Sequence, residues 1–204
     1  MRNFTLNDFT EKLASNSPVP GGGSVAAVCG TLSAALTEMV ANLTLGKKKY
    51  AEFEEEMNCI IEKTSLLRNK LLDYIEKDSN AYNKVMEAYK MPKETEEEKH
   101  LRSNAIEEGS KGAAIVPFEI AETAYEIFPL AESVVKNGNS NAITDGLIAA
   151  MLARTAVLGG ILNVQINLDY ITDVDFVTKY RALTDELKAK ACEYENKVLS
   201  YSPF

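Results

Sequence analysis

Two acidic residues, Asp78 and Asp145, lie in segments whose composition could support proton transfer. Asp78 belongs to the segment DYIEKDSNAY, and a carboxylate lowered into a pocket there could accept and return a proton. Asp145 ends the segment GNSNAITD, which places amide and hydroxyl side chains immediately before an apolar run. The alternative interpretation of Asp78 is an acid on the protein surface. Helix capping by Asn141 or Thr144 explains only part of the polarity of the second.

A glycine-rich loop, SPVPGGGS, precedes a long run of small residues. Pro18 and Pro20 restrict the backbone of this loop, whereas Gly21–Gly23 permit conformations that other residues resist. Ser24 is predicted to cap the following helix, whose free N–H groups could bind an anion or a polar ligand edge. The loop lacks the spacing of a dinucleotide-binding or Walker A motif. A tight helix entry without a ligand is the alternative.

Three lysines, Lys47–Lys49, follow Gly46 at the far end of the same predicted helix. Cations are common in this position because they interact favourably with the C-terminal end of the helix dipole. The chain carries a net charge of −8, so an anionic ligand would need a local basic site. This cluster is the densest one available, and it either binds such a ligand or simply forms a solvated helix end.

Amide side chains interrupt the apolar run that follows residue 141. Asn163 and Asn167 are four residues apart and therefore share one face of a helix. Buried amides need hydrogen-bond partners, so these side chains either bond to neighbouring backbone or line a cleft. Asn139 and Asn141 precede the same run and leave the same two alternatives open.

The overall composition disfavours several classes of protein. The acidic balance argues against nucleic acid or an anionic membrane surface as a partner. With His100 as the single histidine, a histidine-based metal site or a Ser-His-Asp triad has little support, and no metal is expected. The three scattered cysteines, without CxxC spacing, indicate reduced thiols and a cytoplasmic location.

Two segments are apolar enough to be tested as membrane spans, Ser24–Leu45 and Ala142–Leu168. Both contain acids or amides that would be costly in lipid, so buried core helices explain them better. The N-terminal sequence carries early acids and lacks the pattern of a signal peptide.

Helical periodicity extends along most of the chain, and strand signals are nearly absent. The pattern predicts a helix of about forty residues over 50–89, with a break near Asp78 as the alternative. It also predicts a helix from Thr95 that is interrupted or kinked at Pro117 and resumes over 118–136. A short helix over 5–14 and a final helix from about 172 to 199 complete the set. We therefore predict an all-α, elongated bundle in one domain, residues 1–204. The long helix and the two small-residue helices further predict a homodimer.

Several motifs occur together in a characteristic order: PVPGGGSVAA, LxxGKKKY, DSNAY with a following MPK, the VP step at residues 116–117, GNSNAITD and LNVQINL. In this combination the chain resembles the cyclodeaminase family, which comprises the C-terminal domain of formiminotransferase-cyclodeaminase and its stand-alone bacterial relatives. The resemblance extends from about residue 4 to residue 195. Thr144–Asp145 replaces the usual Ser-Asp pair and keeps both the hydroxyl and the acid.

The resemblance implies an all-helical dimeric enzyme of folate one-carbon metabolism, with a link to histidine degradation. In the cyclodeaminase reaction, N10 of 5-formimidoyltetrahydrofolate attacks the formimidoyl carbon and ammonia leaves, which gives 5,10-methenyltetrahydrofolate. Some relatives are instead linked to methenyltetrahydrofolate cyclohydrolase activity, in which water opens the same ring to 10-formyltetrahydrofolate. A folate-binding dimer without turnover, or a purely structural subunit, is the non-enzymatic alternative.

The resemblance also suggests roles for the residues above. Asp78 would move protons, and Asp145 would be a second candidate for this role or would orient the pterin ring. The loop Gly21, Gly22, Gly23 and Ser24 would lie against the bound tetrahydrofolate derivative. The pterin edge would meet the four amides, Asn139, Asn141, Asn163 and Asn167. Lys47, Lys48 and Lys49 would hold the carboxylates of a glutamate or polyglutamate tail.

Overall fold

The chain folds into seven α-helices, and no strand occurs among the residues that the computed structural model describes, which are residue 1 and residues 3–204. The all-α prediction is therefore confirmed. The helices are α1 (Leu6–Leu13), α2 (Gly22–Asn42), α3 (Glu54–Tyr89), α4 (Glu96–Tyr125), α5 (Phe128–Asn137), α6 (Ile143–Leu168) and α7 (Val174–Leu199).

The small-residue helices α2 and α6 pack side by side in antiparallel directions. Near one end, a Cβ atom on Gly159 would lie 3.0 Å from the Cβ of Ala26, so the two backbones approach closely. Further along, the hydroxyl of Ser33 donates a 2.7 Å hydrogen bond to the carbonyl of Ala149. Small side chains such as those of Ala26, Gly159 and Ser33 permit this approach because they leave little between the two backbones. The N-terminus of α2 consequently lies beside the C-terminal part of α6.

Helix α3 is long and uninterrupted, as its periodicity predicted, and it packs antiparallel against α2. It has 36 residues, which correspond to ~54 Å at 1.5 Å per residue. Leu71 packs against Gly30, and Asp78 lies against Gly23, so α3 runs alongside α2. It begins at Glu54 because residues Lys48–Phe53 form a 3-10 helix.

Two predicted features of the helices are wrong. Ser24 is not the cap of α2, because the helix already begins at Gly22, with Gly21 as an N-cap residue that makes no side-chain hydrogen bond. Pro117 does not interrupt α4, which continues through it to Tyr125. The break between the two helices instead falls just before α5, which begins at Phe128.

A side chain from α6 explains why α4 tolerates Pro117. Proline has no N–H, so it cannot donate to the carbonyl four residues earlier, which belongs to Ala113. Nδ2 of Asn167 donates a 2.9 Å hydrogen bond to that carbonyl, and it also lies 2.7 Å from the carbonyl of Asn163. The amide of α6 therefore replaces the donor that the proline removes.

We expect Asn167→Ala to lower the free energy of unfolding by about 1–3 kcal/mol, because it leaves the buried carbonyl of Ala113 without a donor. In a Pro117→Ala background, the restored N–H should make the same change cost much less. Urea denaturation of the four proteins measures both values. Equal costs in the two backgrounds would contradict the pairing of Asn167 with Pro117.

Candidate functional site

The carboxylate of Asp78 lies beneath the first turn of α2. Its oxygens occupy the space where a side chain on Gly23 would begin, so any residue other than glycine at position 23 would collide with it. The hydroxyl of Ser24 donates a 2.9 Å hydrogen bond to Oδ2 of Asp78, and the N–H of Ser24 donates to the same carboxylate. The periodicity of α3 places Asp78 on the face that packs against α2, and the glycines at the start of α2 leave room for its carboxyl.

The environment of Asp78 pushes its pKa in opposing directions, and burial is the stronger influence. Desolvation raises the pKa of this carboxyl above its ordinary value, whereas the two hydrogen bonds from Ser24 lower it. The first backbone hydrogen bond of α2 runs from the N–H of Val25 to the carbonyl of Gly21, so the N–H groups of Gly22 and Gly23 precede the bonded turns and lie at the positive end of the helix dipole. A ligand with an acceptor atom could bind there, next to a carboxyl whose pKa is raised.

Asn163 and Asn167 lie at the same end of the molecule as Asp78. The donors of both amides are committed to backbone, since Nδ2 of Asn163 donates to the carbonyl of Gly159 at 2.8 Å. Asn163 also lies beside Gly22, 3.1 Å from the position of a Cβ there, and it lines an open depression of about 690 Å³ together with Arg181. The oxygens of the two amides therefore remain as acceptors for a ligand.

The other predicted residues lie at the far end of α2. The amide of Asn139 is used by the fold, because its Nδ2 donates to the carbonyl of Leu43 at 3.1 Å and its Oδ1 accepts the N–H of Asn141 at 3.2 Å. Asp145 lies in the first turn of α6, partly buried, and the side chain of Asn141 is exposed. The three lysines, Lys47–Lys49, are exposed beside this loop.

Tyr50 lies at the same end of α2 as these residues, although the sequence analysis did not assign it a role. Its hydroxyl accepts the N–H of Ser140 at 3.0 Å and lies 3.1 Å from the hydroxyl of the same residue. These hydrogen bonds, followed by one from Lys49, lower the pKa of Tyr50 to about 8. Its position directly after the lysines was the signal that could have drawn attention to it.

The structure thus divides the candidate residues into two groups. The first contains Asp78, Asn163, Asn167 and the loop 21–24, and the second contains residues 47–50 and 139–145. One helix of 21 residues separates them, or ~30 Å along its axis. Within one chain, the carboxyl of Asp78 and the lysines that could hold an anionic tail do not form a single pocket.

Large apolar side chains are exposed along α2 and α6, and together they are called the apolar face of these helices. The large side chains on it are Leu32, Met39, Leu43, Ile148, Met151, Leu162 and Ile166, which are 37–64% exposed. The stretches Gly22–Asn42 and Ser140–Leu168 are long and apolar enough to cross a membrane by length and composition alone, and half of the most apolar 18-residue part of each is buried inside the protein.

We expect Asp78→Asn to be at least as stable as the unaltered protein at neutral pH. Because the pKa of Asp78 is raised by folding, the ionised carboxyl carries a desolvation cost that the neutral amide avoids. The unaltered protein should regain stability as the pH falls through the folded-state pKa, so the difference between the two should narrow. Urea unfolding over a pH series measures this. Asp185→Asn, at an exposed position on α7, is the matched control. A constant deficit of Asp78→Asn at every pH would contradict the prediction.

Comparisons with known proteins agree over nearly the whole chain. Residues 5–186 match the family model described as formiminotransferase-cyclodeaminase. The chain is 40% identical to a methenyltetrahydrofolate cyclohydrolase from Methylorubrum extorquens, covering 93% of this chain and 91% of that protein. It is 34% identical to the formimidoyltransferase-cyclodeaminase of Mus musculus over 92% of its own length, but it spans only 35% of that relative.

A solved structure shares both the sequence pattern and the fold. The crystal structure of formiminotetrahydrofolate cyclodeaminase from Thermotoga maritima superposes with a TM-score of 0.87 at 34% identity. The match covers 98% of this chain and 96% of that one. Sequence and fold lead to the same result: the chain belongs to the formiminotransferase-cyclodeaminase family.

Proposed function

We propose that this protein converts 5-formimidoyltetrahydrofolate to 5,10-methenyltetrahydrofolate with release of ammonia. The observation that carries the proposal is the partly buried carboxyl of Asp78, whose pKa is raised and which lies beside the first N–H groups of α2. The solved cyclodeaminase of the same fold supports the same reaction.

The reaction requires one group that moves a proton between two nitrogens. N10 attacks the formimidoyl carbon, which becomes tetrahedral, and Asp78 accepts the N10 proton. Asp78 then returns this proton to the exocyclic nitrogen. With one further proton taken from solvent, ammonia leaves and the cationic methenyl bridge forms. A carboxyl whose pKa is raised by burial suits both steps, because it holds a proton more readily than an exposed aspartate and can still give it up.

The pterin ring would be recognised at the same end of the molecule. The 2-amino group and N3 of a pterin are donors, and the free amide oxygens of Asn163 and Asn167 are acceptors of the matching kind. The Asn139 amide is already used by the fold, so we assign it to holding the loop before α6. Asp145 and Asn141 remain proposed ligands at the opposite end.

A second copy of the chain would complete the site. The apolar face of α2 and α6 is a surface that soluble proteins usually cover, and a two-fold axis across it would place these helices antiparallel to their copies. The Asp78 end of one copy would then lie alongside the Lys47–Lys49 end of the other. Folate is an extended molecule, and its glutamate or polyglutamate tail would reach those lysines. A homodimer therefore explains both the face and the division of the site.

A neighbouring copy on this face also leaves no apolar surface of α2 and α6 for lipid, so a membrane is not part of the proposal. Nucleic acid is not expected either, given the net charge of −8. The three cysteines are free thiols, which fits a cytoplasmic location.

Hydrolysis of 5,10-methenyltetrahydrofolate to 10-formyltetrahydrofolate is the second candidate reaction. It is favoured by the 40% identity to a cyclohydrolase over 91% of that protein's length. Water would replace N10 as the group that loses a proton to Asp78, and the same carbon between N5 and N10 would become tetrahedral.

Purified protein should be given each folate separately, with near-ultraviolet absorbance of the methenyl bridge and ammonia followed together. A rising absorbance with ammonia release from 5-formimidoyltetrahydrofolate supports deamination. An accelerated fall with preformed methenyltetrahydrofolate alone supports hydrolysis instead. Asp78→Asn should abolish turnover while remaining folded, and full activity in this variant would remove Asp78 from the mechanism. If the protein binds folates but turns over neither of them, it is a binding protein.

Mixed dimers test whether the site is shared between copies. One copy would carry Asp78→Asn, and the other would carry glutamate in place of Lys47, Lys48 and Lys49, each with its own affinity tag. Each altered homodimer should be inactive at low folate concentration. In a statistical mixture, about a quarter of the normal activity should return, because half the dimers are mixed and each has one intact site. The control is the homodimer in which each chain carries both sets of changes. No recovery in purified mixed dimers would contradict a shared site.

A further inference from the structure

The side chain of Ser24 is fully buried, and every contact of its hydroxyl lies within α2 and α3. Besides Asp78, its Oγ lies 3.2 Å from the carbonyl of Ile75 and 3.4 Å from the hydroxyl of Ser79. None of its surface is exposed, and that of Ser79 is 3% exposed. A bound folate could not reach the hydroxyl of Ser24 without displacing the first turn of α2.

We propose that Ser24 is a positioning residue that orients the Asp78 carboxyl and sets the pH at which it ionises. It contributes two donors, its hydroxyl and its N–H, and both reach the same carboxylate. The hydroxyl bond holds Oδ2 of the carboxylate, and Gly23 leaves the space that Oδ1 occupies. The kinetic consequences rest on the proposed function, whereas the effect on Asp78 does not.

A hydroxyl suits this role because it can both donate and accept. When Asp78 is ionised, the hydroxyl of Ser24 donates to Oδ2. When Asp78 is protonated, the hydroxyl can accept its hydrogen and turn its own towards the carbonyl of Ile75 or the hydroxyl of Ser79. The proton of Ser24 itself never leaves the residue. A carboxyl that takes and returns one proton in each turnover passes through both states, and Ser24 offers a partner to each.

The test compares Ser24→Ala with Ser33→Ala. Ser33 is also a fully buried serine of α2, and its hydroxyl donates to the carbonyl of Ala149. The titration of Asp78 would be followed by NMR of protein labelled with ¹³C at the aspartate carboxyl carbons, with Asp78→Asn used to assign the resonance. Ser24→Ala should move this titration to higher pH, because the ionised form loses a donor. Ser33→Ala should leave it unchanged.

In the proposed reaction, Ser24→Ala should lower kcat roughly ten- to a hundredfold, the usual effect of losing a hydrogen bond to a charged group, with KM unchanged. The acidic limb of the pH–rate profile should move to higher pH. Ser24→Cys, which keeps nearly the same volume with a weaker donor, should shift the titration in the same direction by less. This second variant also serves if the alanine protein folds poorly.

An Asp78 titration in Ser24→Ala that coincides with that of the unaltered protein would overturn the proposal, whatever the activity. A raised KM at constant kcat would also overturn it, because Ser24 would then be a substrate ligand. If the titration shifts but the unaltered protein turns over neither folate, the positioning role stands and the proposed function fails.

Discussion

The contact between the Asp78 carboxyl and the backbone of Gly23 is the constraint on which the rest of the structure depends. An acid can be partly buried against a helix only where that helix leaves room for the carboxyl and where donors face it. Both conditions are met at the first turn of α2, where the free N–H groups and the positive end of the helix dipole lie. Helix α3 must therefore continue unbroken through residue 78 to bring the carboxyl there.

The packing of α2 against α6 imposes a second consequence. Small residues bring the two backbones together. Because the helices are antiparallel, the loop before α2 lies beside the end of α6, and the residues after α2 lie beside the start of α6, so the candidate residues form two separate groups. The opposite sides of the same helices carry large apolar side chains that face outward. A second copy on this face would cover the apolar side chains and reunite the two ends, so the proposed dimer explains both features with one interface.

The sequence predicted the features that depend on local periodicity, and it missed those that depend on a distant donor. The long helix around Asp78 and the all-α class follow from spacing alone. The break expected at Pro117 does not occur, because the donor that compensates for the proline comes from Asn167, some fifty residues away. Ser24 was expected to be a cap or a ligand, and only the register of α3 against α2 shows that it faces Asp78. Tyr50 was missed because its hydrogen bonds to Ser140 cannot be predicted from the spacing of the two residues in the sequence.

The most direct measurement is a crystal structure of the protein with a stable folate analogue that carries a glutamate tail. We expect two copies packed through α2 and α6. The region between N5 and N10 should lie within hydrogen-bond distance of Asp78 of one copy, with the tail carboxylates on Lys47–Lys49 of the other. A folate bound away from Asp78, or held entirely by one chain, would contradict the shared site.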